Sequence, residues 1–385
     1  MAMQFLTDKK SHLLLGINAD YKYFTATEIP SSVKARLSKS KSLLTPIDGI
    51  LIPTTAVNSG ALPLSGKSNF AISKIAQGCN PHEIEGELSR EDFNRLCCAG
   101  FIKGELDHEP IYGAAIALAS HNQDEIKDAI NSHLKTDTLS QAALNHIERL
   151  NLADPLEIQA ALYLFNHYGI FNTAPLNAAV ASLSQFLSAG VSGFVEVPPP
   201  KNNPEWHFFY SDKSKKTEQK TEQDFKVYIS PAIAATKECL RILKEVLPQI
   251  RIQTWKIGRG HLGLSRPDKI CLYFNTQSSL SDGVSTLKRE LSGIEAHGVP
   301  FTFRHDPAGL ISSGADIPRN QSESHAALSG SWRVWISSRL AMAVHLNRKN
   351  KKQLLSTAEA ALLSMKYLGI DPANWAITDS NFWRH

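Results

Sequence analysis

The sequence predicts an α+β protein: a winged-helix-like recognition domain, a helical connector, and a C-terminal mixed α/β domain. Three observations carry that expectation. A hairpin signal near residue 50 is followed by three short helix signals, the middle of the chain is polar and helix-rich, and beyond Phe225 strand patterns alternate with amphipathic helix patterns. With 385 residues and about 150 per domain, the chain has room for three segments, expected at 1–105, 106–153 and 154–385.

The hairpin is read from Asp48 to Leu64, where the apolar run Gly49 to Ile52 and the run Ala61 to Leu64 flank the turn formers Asn58-Ser59-Gly60. Ser68 is expected to cap a helix whose apolar residues Phe70, Ile72, Ile75 and Ala76 recur at helical steps until Gly78. Asn80-Pro81-His82-Glu83 reads as a cap with proline at the first helical position, and Ser89 opens a third helix that stops at Gly100. In the connector the better helix candidates are 124–134 and 140–150. Helices are then expected near 158–165 and 175–187, and a strand at 190–197. The mixed-charge run 211–224 reads as a solvated loop. Beyond it the patterns give strands at 225–229, 250–257, 269–274 and 301–304, and helices at 230–247, 281–295, 329–348 and 356–368.

Composition narrows the function. Hydrophobic residues at 42% and charged residues at 20% exclude fibrous and disordered classes. A net charge of +4 is too diluted for a nucleic-acid partner. Nowhere do about 18 apolar residues run uninterrupted, so no membrane span is expected, and no secretory signal is read at the N-terminus. Five cysteines without C-x-x-C spacing predict free thiols, no metal site and a cytoplasmic location.

Chemistry is expected where cations cluster. Lys256, Arg266 and Arg304 fall beside strand ends, and Arg333 lies in a helical pattern; His261 and His305 are close in sequence. Guanidinium forks suit a phosphorylated ligand, because each donates to two oxygens at once. Gly258-Arg259-Gly260-His261-Leu262-Gly263 fits neither a Walker A loop nor a dinucleotide fingerprint and reads as a flexible loop. The chain has no Gly-x-Ser-x-Gly elbow and no His-Glu-x-x-His helix, so ordinary hydrolases and metalloproteases recede.

Val227-Tyr228-Ile229-Ser230, Trp255-Lys256, Arg266-Pro267-Asp268, Pro300-Phe301-Thr302, Gly309-Leu310 and Asp316-Ile317-Pro318 occur in the order seen in the HopA effector family. That family resembles the lyases of class V lanthipeptide and thioamitide biosynthesis. Ala76 to Ile84 and Leu96 to Ile102, with the hairpin, resemble the PqqD-type element that binds leader peptides of ribosomally made, modified peptides (RiPPs). The resemblance implies β-elimination of phosphate from phosphoserine or phosphothreonine in a precursor peptide, beside a kinase-like partner enzyme and without metal or organic cofactor. Lys256 is then the expected base, since a lysine among arginines is disfavoured as a cation. Arg266, Arg304 and Arg333 are expected to hold phosphate, His305 or His261 to act as acid, and Asp268 to orient Arg266. The alternative is a non-catalytic partner that binds the precursor peptide, with the peptide adding a strand to the hairpin edge, or an effector-like binder of a host protein.

Overall fold

The computed structural model describes residues 13–37, 47–54, 62–64, 66–120, 135–169, 173–199, 204–211, 225–316, 331–351 and 354–378. The chain is α+β. It forms two compact units, Met1–Tyr163 with Arg319–His385, and Leu164–Pro318.

In the first unit β1 (Leu13–Ile17) and β2 (Tyr21–Thr25) precede the expected hairpin, which is β3 (Gly49–Pro53) paired antiparallel with β4 (Leu62–Leu64). The expected turn at 58–60 lies outside the described residues, as does the expected helix 124–134. β2 joins the hairpin to give the order β2-β3-β4. β1 pairs with β5 (Ile102–Leu106), which turns back into β6 (Glu109–Tyr112). Asp107 and His108, both at positive φ (52° and 63°), form that two-residue turn, the backbone that right-twisted hairpins favour. Asp-His lacks the usual glycine, so the sequence pattern did not reveal it.

The helix after the hairpin begins at Gly66, where Asp48 Oδ2 accepts the Gly66 N–H at 2.7 Å. Its buried face is Ala71, Ile72 and Ile75, whereas Phe70 is 48% exposed under the Lys74 ammonium. Asn80 precedes a short 3-10 helix with proline in its first turn and donates its N–H to Glu83 Oε1 at 2.7 Å, and the Ser89 cap forms as read, with Asp92 N–H donating to Ser89 Oγ at 3.1 Å.

Within the first unit, residues 331–351 and 354–378 pack with elements that precede Tyr163. The segments 1–105, 106–153 and 154–385 expected from the sequence differ from these two units. Helix Trp332–Lys349 buries Trp332, Trp335, Ile336, Leu340 and Val344, and Arg333, Ser337, Arg339 and Asn347 with them, so that it is enclosed on most sides. It packs on helix Thr357–Tyr367. Asn350 Oδ1 accepts the Tyr112 N–H at 2.7 Å, and Trp375 Nε1 donates to Asp137 Oδ2 at 3.0 Å. A short pair, β14 (Ile370–Asp371) with β15 (Ala376–Ile377), closes the described chain, and seven strands belong to the other unit.

That second unit holds β7 (Phe194–Val197), β8 (Trp206–Ser211), β9 (Phe225–Ile229), β10 (Thr254–Gly258), β11 (Ile270–Phe274), β12 (Phe303–Arg304) and β13 (Ile311–Ala315). Their order is β12-β13-β9-β11-β10-β8-β7, and every pairing is antiparallel. The alternation of strands and helices suggested a mixed sheet; β9 and β10 do run the same way, but β11 inserts between them. Val227, Ile229, Trp255, Ile257, Ile270, Leu272 and Phe274 form one core with Leu183, Leu240, Leu243, Val284 and Leu287. These last come from helices Ala174–Ala189, Thr236–Val246 and Gln277–Glu290. The loop expected at 211–224 falls, from 212 on, outside the described residues.

Candidate functional site

Since strand side chains alternate, the apolar residues that build this core send their neighbours to the opposite face. Lys256 follows Trp255 and lies in register with Phe208 on β8 and Cys271 on β11. Cys271 faces Tyr228 on β9, Tyr228 faces Ser312 on β13, and Ser312 faces Arg304 on β12. One cross-strand row thus runs Phe208, Lys256, Cys271, Tyr228, Ser312, Arg304. Two residues along β9 on the same face is Lys226, beside Tyr273. The sheet has an oily side and a side of cations, hydroxyls and aromatic rings.

The Lys256 ammonium sits 4.0 Å from the centroid of the Trp206 ring and 5.7 Å from that of Phe208. Aromatic faces attract a cation, but burial works against it. Burial pulls the Lys256 amine below the ordinary lysine range, and the nearby Lys226 and Arg266 push the same way, against the opposing pull of Cys271 and Asp268. Arg266 also lies over Trp206, at 4.8 Å. It grips Asp268 through two bonds, Nε to Oδ1 at 3.0 Å and Nη2 to Oδ2 at 3.2 Å. Burial disfavours the Lys226 cation, yet the Asp316 carboxylate 2.6 Å away outweighs it and holds that amine well above its ordinary range. Arg304 is half-buried and runs along Gly309, where an added Cβ would come within 3.4 Å of its Nε.

The two histidines do not join this row. His305 follows Arg304 and turns to the other side: its Nε2 lies 2.9 Å from Ser313 Oγ, and its ring meets Phe303 edge-on at 5.0 Å. Burial lowers its pKa, and Lys288 of helix Gln277–Glu290 lowers it further. Alternation along β12 and β13 puts Phe303 and Ser313 opposite Arg304 and Ser312, so His305 belongs to the core side. His261 pairs its Nε2 with Asn177 Oδ1 at 2.7 Å, on the helix that packs against the core face. Arg333 belongs to the first unit. It is 3% exposed, donates from Nη2 to the Tyr163 carbonyl at 2.6 Å and stacks its guanidinium 4.6 Å from the Tyr163 ring.

Gly258 to Gly263 is neither a phosphate cradle nor a loose loop. Residues Gly260–Leu264 form a short helix, and a Cβ on Gly258 would meet the Gly263 carbonyl oxygen at 2.2 Å. Gly258 and Gly263 are there for backbone contact, and Gly260 for its positive φ of 62°. Sequence reading missed Lys226, Tyr228, Ser312 and Trp206 as site residues. The alternation Lys226-Val227-Tyr228-Ile229 is the signal that marks two of them, polar and apolar positions taking turns.

No family model and no curated protein matches the chain. Among solved structures it is similar to the effector protein from Pseudomonas syringae pv. syringae strain 61, at 15% identity over 63% of this chain and 98% of that one, with a TM-score of 0.38. A second similarity is to the effector protein from Pseudomonas syringae pv. tomato strain DC3000, at 12% identity, the same coverage and a TM-score of 0.37. Both likenesses are distant.

Proposed function

We propose that residues 164–318 carry a carbon–oxygen lyase that removes phosphate from a phosphorylated Ser or Thr of a peptide. The observation that supports this reading is the cross-strand row, with an amine disfavoured as a cation at Lys256 and a guanidinium at Arg304 on one polar face. Elimination needs a base for the weakly acidic α-proton and cations for the leaving phosphate. The neutral Lys256 amine takes the α-proton, the Cα–Cβ double bond forms, and the Cβ–O bond breaks with its electron pair leaving on phosphate. Arg304, Lys226 and Arg266 supply positive charge on the same side, the last two oriented by Asp316 and Asp268. The histidines, tied to Ser313 and Asn177 on the core side, are not the acid in this scheme.

The substrate in this reading is the precursor of a ribosomally made, modified peptide, phosphorylated beforehand by a kinase-like enzyme. The test incubates the full chain with a synthetic phosphothreonine or phosphoserine peptide and follows free phosphate and peptide mass. Elimination gives a product lighter by one water than the unphosphorylated peptide. Return of the unphosphorylated peptide would mean a phosphatase, and no change in a verified phosphopeptide would end the lyase reading.

A further inference from the structure

Two groups on the polar face have no role in the reaction as written. Tyr228 and Ser312 stand directly opposite each other on β9 and β13, 1% and 0% exposed. Neither Tyr228 Oη nor Ser312 Oγ has a hydrogen-bond partner among the described residues. A buried hydroxyl normally finds one, and leaving it unmatched is costly. Here two such donors are adjacent in register, in the row between Lys256 and Arg304, with Lys226 two residues along β9. A tetrahedral anion supplies what they lack, several acceptor oxygens within the span of one strand pair.

We propose that the Tyr228 and Ser312 hydroxyls form the subsite that hydrogen-bonds the phosphate oxygens of the substrate. The proposal rests on the lyase reading for the identity of the substrate, but not for the binding of the anion. Each hydroxyl keeps its proton and donates it to a phosphate oxygen, so no bond is made or broken at these residues. Burial raises the Tyr228 phenol well above its ordinary range, and a phenol that stays protonated remains a donor.

The experiment titrates the full chain with inorganic phosphate by calorimetry and, separately, measures turnover of the phosphothreonine peptide. The wild type should bind phosphate saturably. Tyr228→Phe and Ser312→Ala should each weaken that binding about tenfold or more, the loss expected of a hydrogen bond to a charged group, with thermal melts showing that each variant is folded. If Tyr228→Phe fails to fold, Ser312→Ala decides. Wild-type affinity in the folded variants, or no saturable phosphate binding by the wild type, overturns the subsite. Phosphate binding that depends on both hydroxyls, with no peptide turnover, leaves the subsite standing and overturns the lyase.

Discussion

At the scale of single residues, the candidate chemistry turns on the charge of Lys256. Its amine titrates below the ordinary lysine range because it is buried, with Lys226 and Arg266 adding to the effect. A base must be neutral, so phosphate release should rise with pH along a limb lying below the range of a free lysine. Arg266→Gln removes a repelling cation and the guanidinium that offsets the Asp268 charge, and both changes favour the charged amine. The limb in that variant should therefore move to higher pH, as a pH–rate profile would read. Lys256→Ala should abolish phosphate release and leave peptide binding nearly unchanged. Arg304→Ala should weaken phosphopeptide binding by about 1.5–3 kcal/mol, the value of a hydrogen bond to a charged group. Arg333 behaves differently. Enclosed against Tyr163, it contributes to stability, and Arg333→Ala should lower the denaturant midpoint without changing the affinity of the second unit for phosphate.

At the scale of elements, β10 separates stability from chemistry by alternation alone. Trp255 stacks on Phe209 at 4.0 Å with rings 8° from parallel, in the core, whereas Lys256 faces the other way. Trp255→Ala should cost about 3–5 kcal/mol, measured by chemical denaturation, and Lys256→Ala far less. A Trp255→Ala protein as stable as the wild type would refute this division of the strand. The edge expected to take up a leader peptide is less inviting. β4 is three residues long and carries Pro63 at its centre, a residue without an N–H that blunts a sheet edge. On the opposite edge of that sheet, the Glu28 carboxylate already accepts the Thr25 N–H at 2.9 Å. A leader peptide that binds the first unit therefore needs side-chain contacts beyond strand addition.

At the scale of the molecule, two buried features set the response to pH and to truncation. Lys269 is fully buried, donates to the Pro231 carbonyl at 2.9 Å and lies 3.0 Å from His297 Nδ1; burial brings its amine down to about 7 from 10.5. Between those values the unfolded chain holds a proton that the folded chain does not, so stability rises with pH from about 7. Above about 9 the buried thiols Cys98 and Cys239, raised to about 12, oppose the rise, because the folded chain then keeps protons that the unfolded chain loses. The melting temperature should climb between these limits, and Lys269→Met should flatten the slope; an unchanged slope would remove Lys269 as its cause. Truncation tests the division into units. A fragment of residues 154–385 takes helix Trp332–Lys349 away from residues 1–153, with which it shares a core. It should show Trp332 and Trp335 fluorescence shifted toward that of solvent-exposed indole, while the full chain does not.

Local rules alone settled a good deal: the β3–β4 hairpin, the caps at Asn80 and Ser89, strands β9 and β11 and the helices that follow them, and the Arg266–Asp268 pair. These depend on spacing and on neighbours within a few residues, which sequence records directly. Tertiary structure decided which cations share a face. Lys256, Tyr228, Ser312 and Arg304 lie on four different strands, and antiparallel register aligns them; register over such separations is not written in any local pattern. The same alternation sends His305 one residue past Arg304 and to the other side, so closeness in sequence misled. Arg333 is expected within the segment 154–385, but its helix is buried with residues 1–163. Long-range burial, not sequence order, chose its surroundings.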